Sequence, residues 1–323
     1  ASDAALRTPD MTLVFACEVV LAGLLVAIAT WTIVARTAFA AIVVFMVYGL
    51  LLAIVWVALS AVDVALTEAA IGGGVTSIVL LGAASRLRGS KPAIPSVSFP
   101  FKITAGVLCA VVSAGLATVV FSLPDVAPTL APVAKENLAE SGLGNPVAAV
   151  LFVFRALDTL LEKVVLLLAL VGVWSLASDS AWGGVPALRV YASPSRILVF
   201  LDQILPPIGI MIGIYMFWAG ANQPGGAFQG GTILAAMWLL TMMARLQDVP
   251  SISARWLRLL LVGGPMAFLA VGLAGFFVAD SFLAYPPGIS KPLIIVVEAT
   301  LTLSIGVTLA LLVAGPPERL PQQ

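Results

Sequence analysis

The sequence predicts an all-α fold: a polytopic integral membrane protein with about nine transmembrane helices in three modules of three, two and four helices. Composition is the first observation, because 61% of the residues are hydrophobic and only 10% are charged, whereas soluble domains carry about 25% charged residues. The second is a series of apolar stretches that each approach or exceed the ~20 residues a helix needs to cross a bilayer. The third is that most Lys and Arg residues fall between these stretches.

Several functional classes are excluded by what the chain lacks. It contains no histidine, so His-based catalysis, haem ligation through histidine and His-containing metal sites are excluded. No P-loop, dinucleotide-binding glycine motif or nucleophile elbow occurs, and the net charge of zero leaves no basic face for nucleic acid. Cys17 and Cys109 lie in apolar runs and are predicted to be small buried hydrophobic residues, not a disulfide or metal pair. The chain is therefore not expected to energise transport by hydrolysing nucleotide itself.

The first module covers residues 1–91. Its three predicted spans are Met11 to Ala35, Thr37 to Leu59 and Ala61 to Ser85. The length of the first span and its lack of a small-residue cleavage pattern favour a retained helix over a signal peptide.

The third span carries both acidic residues and glycines. Asp63 and Glu68 occupy its first two turns, and Gly72, Gly73 and Gly74 follow at mid-membrane depth. The three glycines permit close helix packing or a local π-type distortion. The alternative is a hinge beside an acidic site.

The second module covers residues 92–185 and contains two predicted spans. The first runs from about Phe101 to Leu123. A loop rich in Pro, Gly and Ala follows, with a short helical piece around Ala134 to Ser141. The second span, Pro146 to Ala177, is long and apolar but is interrupted by charged residues.

At helical spacing Arg155, Asp158 and Glu162 share one face of this charged span, and Thr159 and Lys163 sit on its edge. Each ionised group near a bilayer centre costs roughly 3 kcal/mol, so the charges must pair with one another, with other subunits or with water. One interpretation is a buried ion-pair network that holds helices in register. The other is a relay that carries protons or cations through the membrane.

The third module covers residues 186–323 and contains four predicted spans. They are Ile197 to Ala219, Phe228 to Ala244, Leu257 to Ala279 and Pro292 to Ala314. Pro206 and Pro207 are expected to kink the first of them or to start its regular part. Glu298 lies roughly two turns inside the last.

A glycine-rich stretch, GANQPGGAFQGG from Gly220 to Gly231, separates the first two of these spans. It contains too much glycine for an ordinary helix interior. We expect either a tight external turn or an unwound, partly re-entrant stretch that caps a cavity.

The distribution of basic residues predicts the orientation in the membrane. Nine spans with the N-terminus outside place 11 of the 16 Lys and Arg residues inside and 3 outside, with Arg155 and Lys163 in the membrane. This bias is the pattern of the positive-inside rule. It predicts a multi-pass protein of the cell inner (plasma) membrane with a cytoplasmic C-terminus.

Three motifs together resemble one family. DVALTEAAIG (Asp63 to Gly72) is similar to the signature of the three-helix, MbhD-like module near the end of the large subunit of Mrp-type cation/proton antiporters. FRALDTLLE (Phe154 to Glu162) resembles the FR-x-x-DT-x-x-E motif of the MbhE-like module that follows it. The glycine-rich stretch resembles the G-H-x-x-PGGGFxGG motif of the Mrp B subunit. The motifs occur in the family's order, so the resemblance covers nearly the whole chain and implies a fusion of the three modules.

Two departures from the family pattern limit what the resemblance carries over. Ala221 replaces the family histidine of the glycine-rich motif, so a proton role for that histidine does not transfer, and Ala227 replaces a glycine. The motif is therefore interpreted as structural. With the glycines of the third span, the predicted structural positions are Gly72, Gly73, Gly74, Pro224, Gly225, Gly226, Gly230 and Gly231.

The resemblance implies an accessory membrane subunit of a multisubunit cation/proton antiporter of the Na⁺/H⁺ type, assembled with antiporter-like large subunits and small accessory subunits in the lipid bilayer. Its candidates for the ion or proton route are Asp63, Glu68, Arg155, Asp158, Glu162, Lys163 and Glu298. No cofactor is expected in this chain beyond a transient Na⁺. Two alternatives stay open: the membrane arm of a redox-driven pump such as a membrane-bound hydrogenase-like complex, and a scaffold whose charges only hold helices together.

Overall fold

Helices form almost all of the part of the chain that the computed structural model describes, residues 11–87, 98–124, 129–186, 188, 195–286 and 288–318. They are α1 (Met11–Val34), α2 (Ala38–Ala58), α3 (Val62–Ala70), α4 (Thr76–Leu87), α5 (Phe99–Ser122), α6 (Ala131–Glu136), α7 (Leu138–Ser141), α8 (Pro146–Ala149), α9 (Ala156–Trp174), α10 (Arg196–Gly220), α11 (Ala227–Met243), α12 (Arg255–Val278) and α13 (Ser290–Ala314). The prediction of an all-α fold is confirmed.

Short segments of other secondary structure connect the helices. π-helical segments at Ile71–Val75 and Val150–Phe154 join α3 to α4 and α8 to α9, and Asp179–Ala181 forms a 3₁₀ turn. Two-residue strands β1 (Val185–Pro186) and β2 (Pro317–Glu318) pair antiparallel. This small ladder ties the segment after α9 to the segment after α13.

Seven of the described helical segments are long and apolar enough to cross a membrane. They are α1, α2, the continuous α3–α4 segment, α5, α10, α12 and α13. The prediction of a multi-pass membrane protein is therefore confirmed. α11 is shorter, with 17 residues, and the charged α8–α9 segment is interrupted, so the count of nine spans stays a prediction.

The core lies in the C-terminal bundle, where α11 packs against α10 and α13, and α12 packs against α13. α13 is the central helix of this bundle, since Ile294, Val297, Leu301 and Ile305 along its length are all buried. α9 packs against α12 and α13 from the side. α10 is one helix from Arg196 to Gly220 with both prolines inside it, so the prediction that the prolines start its regular part is wrong.

Glycines allow the bundle helices to approach closely. A Cβ on Gly230 would lie 2.6 Å from the Gly213 carbonyl oxygen, and one on Gly231 would lie 2.8 Å from Ile305 Cγ2. Such small residues let helix backbones pack within a membrane bundle. Gly230 and Gly231 lie in the first turns of α11, inside the span predicted from Phe228 to Ala244.

In the first module α2 packs against α1 and against the α3–α4 segment. The contact is made by glycines, because a Cβ on Gly49 would lie 2.8 Å from the Gly73 backbone nitrogen. The π-helical segment Ile71–Val75 contains Gly72, Gly73 and Gly74. Close packing and a π-type distortion therefore occur together at this point.

α5 stands apart from the bundle, because none of its residues is buried. Cys109 on α5 and Cys17 on α1 are both free and exposed on the chain, so the prediction that they are buried is wrong. Both cysteines lie on apolar faces of α1 and α5, and no other part of the described chain packs against them. The predicted module boundaries at residues 91 and 185 are tested by none of these contacts and stay predictions.

Candidate functional site

A cavity of about 300 Å³ lies where α3, the α8–α9 segment, the start of α11 and α13 meet. Its charged lining residues are Asp63, Glu162, Lys163 and Glu298. All three predicted modules contribute to it, so residues far apart in the chain share one space. Thr67, Thr159 and Gln229 add polar groups to a lining that is otherwise mostly apolar.

Asp63 connects the first module to the glycine-rich turn. Its Oδ1 accepts a hydrogen bond from the Gly225 backbone N–H at 3.0 Å and one from Asn145 Nδ2 at 3.2 Å. Asn145 Nδ2 also lies 3.0 Å from the backbone carbonyl oxygens of Gly220 and Gln223. Sequence reasoning missed Asn145, although its position just before Pro146 is typical of a helix N-cap, and its side-chain oxygen does cap α8.

The residues between α10 and α11 form a tight turn that lines the cavity. Gly225 and Gly226 have φ of 153° and 142°, values that favour glycine. A Cβ on Gly225 would lie 2.5 Å from the Met216 carbonyl oxygen. Pro224 precedes these two glycines, and the backbone of the turn favours glycine at both of the positions that follow it.

The α8–α9 segment is broken where the sequence predicted one continuous helix. Val150–Phe154 is π-helical, and Arg155, with φ of −133° and ψ of 37°, begins α9 as its N-cap. Thr159 Oγ1 donates to the Leu151 carbonyl oxygen at 2.6 Å, which satisfies an acceptor at the break.

Charged residues on α9 form two separate pairs, and Arg155, Asp158 and Glu162, which were predicted to share one face, are all exposed. Arg155 pairs with Asp158, and both side chains are largely exposed. Glu162 pairs with Lys163, whose Nζ lies 2.8 Å from Glu162 Oε1. Thr159 and Lys163, expected at the edge of the face, are buried.

Lys163 is held inside the cavity by two contacts. Besides its pair with Glu162, its Nζ lies 4.3 Å from the centroid of the Phe228 ring. A cation over an aromatic face is attracted by the ring quadrupole. These contacts compensate the charge of a residue that is 5% exposed.

Gln229 joins α11 to α3. Its Nε2 donates to Thr67 Oγ1 at 3.0 Å and to the Asp63 carbonyl oxygen at 3.3 Å. The side chain is buried. Sequence reasoning also missed Gln229, and its place inside the glycine-rich motif was the available signal.

Glu298, on α13, closes the cavity at the bundle core. It is 1% exposed, and its Oε2 has no hydrogen-bond partner among the described residues. Tyr285 lies in the loop before α13, close enough for the negative charge of this carboxylate to act on its hydroxyl group. Burial, and then the negative charge of Glu298, raise the pKa of the Tyr285 hydroxyl, so this group stays protonated at neutral pH.

Three of the seven predicted route residues lie outside the cavity lining: Glu68, Arg155 and Asp158. Glu68 is half-buried on α3, and its carboxylate lies against Gly72 in the π-helical segment. Within the described ranges, no three His, Cys, Asp or Glu residues gather as a metal site. The cavity is thus a charged, partly buried space with one ion pair and two further carboxylates.

Two family models match parts of the chain. The MbhD model, which describes one of the subunits of MBH, matches residues 23–89. A model described as a domain related to the MnhB subunit of Na⁺/H⁺ antiporter matches residues 197–315. A putative antiporter subunit mnhB2 of Staphylococcus aureus is 31% identical over 110 residues, which cover 34% of this chain and 70% of that protein.

Other similar proteins are archaeal or come from solved complexes. The uncharacterized protein MJ1307 of Methanocaldococcus jannaschii is 29% identical over 154 residues, and the match covers 43% of this chain and 59% of that protein. A chain in the structure of the Mrp complex from Dietzia sp. DQ12-45-1b is 25% identical with a TM-score of 0.73, and the match covers 94% of this chain but 35% of that one.

A chain of the membrane-bound sulfane sulfur reductase, an archaeal respiratory membrane complex, has the same fold over a smaller part. It matches with a TM-score of 0.55 at 23% identity, covering 67% of this chain and 97% of that one.

Proposed function

This chain belongs to the family of Mrp-type antiporter subunits, and on that premise we propose that it is an accessory membrane component of a multisubunit Na⁺/H⁺ antiporter. The observation that carries the proposal is the cavity, because it gathers Asp63, Glu162, Lys163 and Glu298 from separate parts of the chain. Ionisable groups inside a membrane bundle are costly, and they typically mark ion or proton pathways. The chain is a transporter component rather than an enzyme.

The cavity residues provide a path for a proton or cation. Asp63 lies at the start of α3, at the end of the molecule where the glycine-rich turn also lies. Glu162 and Lys163 come about two turns into α9, and Glu298 comes about two turns into α13. Carboxylates that line one cavity let a cation or proton pass between them, while Lys163 sets the local charge.

The partners of this chain are other membrane subunits of an Mrp-like complex and the lipid bilayer. α1 and α5 have no buried residues within the windows that suit a membrane span. The exposed Arg155–Asp158 pair also lies on an outward face. These surfaces suit contact with neighbouring subunits, where the ion pair would be shielded from lipid. Their apolar character supports assembly into a larger membrane complex.

A pair of double variants tests the role of the cavity. Glu162→Gln with Lys163→Met removes the cavity ion pair without leaving either charge alone. We expect Na⁺/H⁺ exchange by the assembled complex to fall at least about tenfold, measured as dye-reported pH change in everted vesicles after NaCl addition. Tenfold corresponds to about 1.4 kcal/mol of barrier.

The matched control removes the other ion pair of the same helix, Arg155→Met with Asp158→Asn. We expect exchange to change less than about twofold, since this pair does not line the cavity. The proposal is overturned if both double variants lose Na⁺/H⁺ exchange equally. It is also overturned if the cavity variant assembles normally and its exchange is unchanged. The second result favours the scaffold interpretation.

A redox-driven pump is the second candidate. It is favoured by the match of residues 23–89 to the MbhD family of MBH, and by the fold shared with a chain of a respiratory complex. Purification of the native complex distinguishes the two. Iron–sulfur or nickel subunits in the preparation indicate redox drive, and only antiporter-like subunits indicate secondary antiport.

A further inference from the structure

A second cavity of about 300 Å³ lies between α10, α11 and α13. Its floor contains Gly306 and Val307, which are buried, and its rim contains Ile210 and Leu303, which are about half exposed. The cavity is therefore a groove that opens at the surface of the C-terminal bundle, and we call it the outer groove. It shares no lining residue with the charged cavity described above.

One end of the outer groove is apolar and lies at mid-membrane depth. Ile210 is near the middle of α10, and Leu303 is the middle residue of α13. Leu234 and Met237 of α11 line the groove with them. Both α10 and α13 are long enough to cross a membrane, so their middle residues lie in its hydrocarbon core. An occupant of this end must therefore be apolar.

The other end of the outer groove is polar and aromatic. Gln247, in the turn after α11, lines it together with Trp238, and Trp238 Nε1 donates to Gln247 Oε1 at 3.1 Å. Trp256, at the start of α12, packs against Trp238 with ring centroids 6.4 Å apart. Tryptophan side chains are enriched at the level of the lipid headgroups, so this end lies at the membrane–water interface.

The turn between α11 and α12 gives the interfacial end a positive charge. Residues 244–258 contain three arginines and one acid, all exposed: Arg245, Arg255, Arg258 and Asp248. Arg255 directly precedes Trp256, and Arg245 lies two residues before Gln247. Asp202 of α10 is buried and does not line the groove. Arginine forms strong hydrogen bonds with phosphate oxygens, so this end suits a phosphate group.

We infer that the outer groove binds one phospholipid, with an acyl chain between Ile210 and Leu303 and the phosphate beside the arginines of the α11–α12 turn. An apolar end at mid-membrane and a cationic end at the interface suit an amphiphile that lies along the membrane normal. A helix of a neighbouring subunit suits the groove less well. Two turns of a helix about 10 Å wide occupy roughly 850 Å³, so a helix would cover the groove without filling it.

Photolabelling tests the site, and it does not depend on the antiporter role. A phosphatidylglycerol with a diazirine in one acyl chain is incorporated into membrane vesicles that contain the assembled complex. The complex is then washed in mild detergent before irradiation, so that loosely held surface lipid is removed. We expect the label on the groove peptides that contain Met237 and Leu303, mapped by mass spectrometry. The absence of label there, or label on the exposed helices α1 and α5 alone, overturns the inference.

A substitution that fills the groove provides the matched comparison. Leu303→Trp places a larger side chain at the rim and should reduce the label on the Met237 peptide at least about fivefold. Leu259→Trp, on an exposed position of α12 that does not line the groove, should leave this label within about twofold. Ile210→Trp repeats the test from α10 if Leu303→Trp does not fold. Equal labelling in the groove-filling and control variants overturns the inference.

Competition tests the phosphate contact separately. Unlabelled phosphatidylglycerol should displace the photolipid from the groove at least about fivefold more effectively than diacylglycerol with the same acyl chains. Arg255→Gln should reduce this preference at least about twofold, whereas Lys135→Gln in α6 should leave it unchanged. Equal displacement by the two lipids would overturn the placement of the phosphate beside the arginines.

Discussion

At the scale of single residues, the two ion pairs of α9 differ in what surrounds them. The Lys163 side chain is 6% exposed, whereas that of its partner Glu162 is 49% exposed. Arg155 and Asp158 are both more exposed than Glu162. The free energy of a broken pair depends on the partner that remains, because only a buried charge carries a large desolvation cost.

Single substitutions in the cavity pair should therefore have unequal effects. Glu162→Gln leaves buried Lys163 without its carboxylate and is expected to cost about 3 kcal/mol, the low end for a broken buried pair. Lys163→Met leaves a half-exposed carboxylate and should cost about 1 kcal/mol or less. The measurement is the thermal unfolding midpoint of the purified chain, followed by tryptophan fluorescence.

The double variant provides the control for this asymmetry. Combining Glu162→Gln with Lys163→Met removes the buried charge that Glu162→Gln leaves behind, so its midpoint should lie above that of Glu162→Gln alone. The opposite result is a lower midpoint for Lys163→Met than for Glu162→Gln. It would show that stability depends more on the cation–π contact with Phe228 and on packing of the lysine side chain than on charge balance.

At the scale of helices, glycines determine how closely the elements pack. Gly231 on α11 faces α13, where a Cβ would lie 2.8 Å from Ile305 Cγ2 and 2.9 Å from the Thr302 carbonyl oxygen. The second of these atoms is backbone and cannot move aside without shifting α13. Gly263 on α12, by contrast, has nothing within 4 Å of the same position.

Alanine substitutions should separate these two cases. Gly231→Ala is expected to destabilise the chain by about 1–3 kcal/mol through overpacking, since α11 must move away from α13. Gly263→Ala should be neutral or stabilising by up to about 1 kcal/mol, because alanine is the better helix former. The measurement is the thermal unfolding midpoint of each variant in the same detergent. Equal midpoints would show that α11 and α13 are farther apart at Gly231 than in the structure.

At the scale of the whole molecule, the apolar surface and the charge distribution determine how the chain sits in a membrane. Large apolar side chains are exposed along α1 and α5, which suits lipid or neighbouring subunits. The Asp63 end of the cavity lies on the same side as α7, and the opposite side carries the segment after α9. We propose that the α7 side is external, from the bias of basic residues toward the other side.

Cysteine labelling tests this orientation. After Cys17 and Cys109 are replaced by serine, a single cysteine is introduced as Ala139→Cys or as Ser178→Cys, both at positions that are exposed in the structure. A membrane-impermeant maleimide should label the first in intact cells and the second only after permeabilisation. The opposite labelling pattern would place the cavity mouth on the cytoplasmic side.

Most of the helices could be predicted from the sequence, because the length of an apolar stretch and the breaks between stretches are local properties of the chain. The sequence predicted one short helical piece around Ala134 to Ser141, and the structure has two short helices in this region, Ala131–Glu136 and Leu138–Ser141. The glycines of the third span indicated close packing or a π-type distortion, and a π-helical segment occurs there. The need for glycine at Gly225 and Gly226 also follows from the motif, since few other residues adopt their backbone conformation.

Which polar residues meet could not be predicted from the sequence, because it depends on how the helices pack together. The sequence predicted one continuous helix for the charged span, whereas a π-helical segment ends just before Arg155 and separates α8 from α9. Asp63 and Gly225 are 162 residues apart in the chain, and no periodicity relates them. The cavity and the burial of Lys163 beside Phe228 both arise from packing between helices, where contacts depend on how the whole chain is folded.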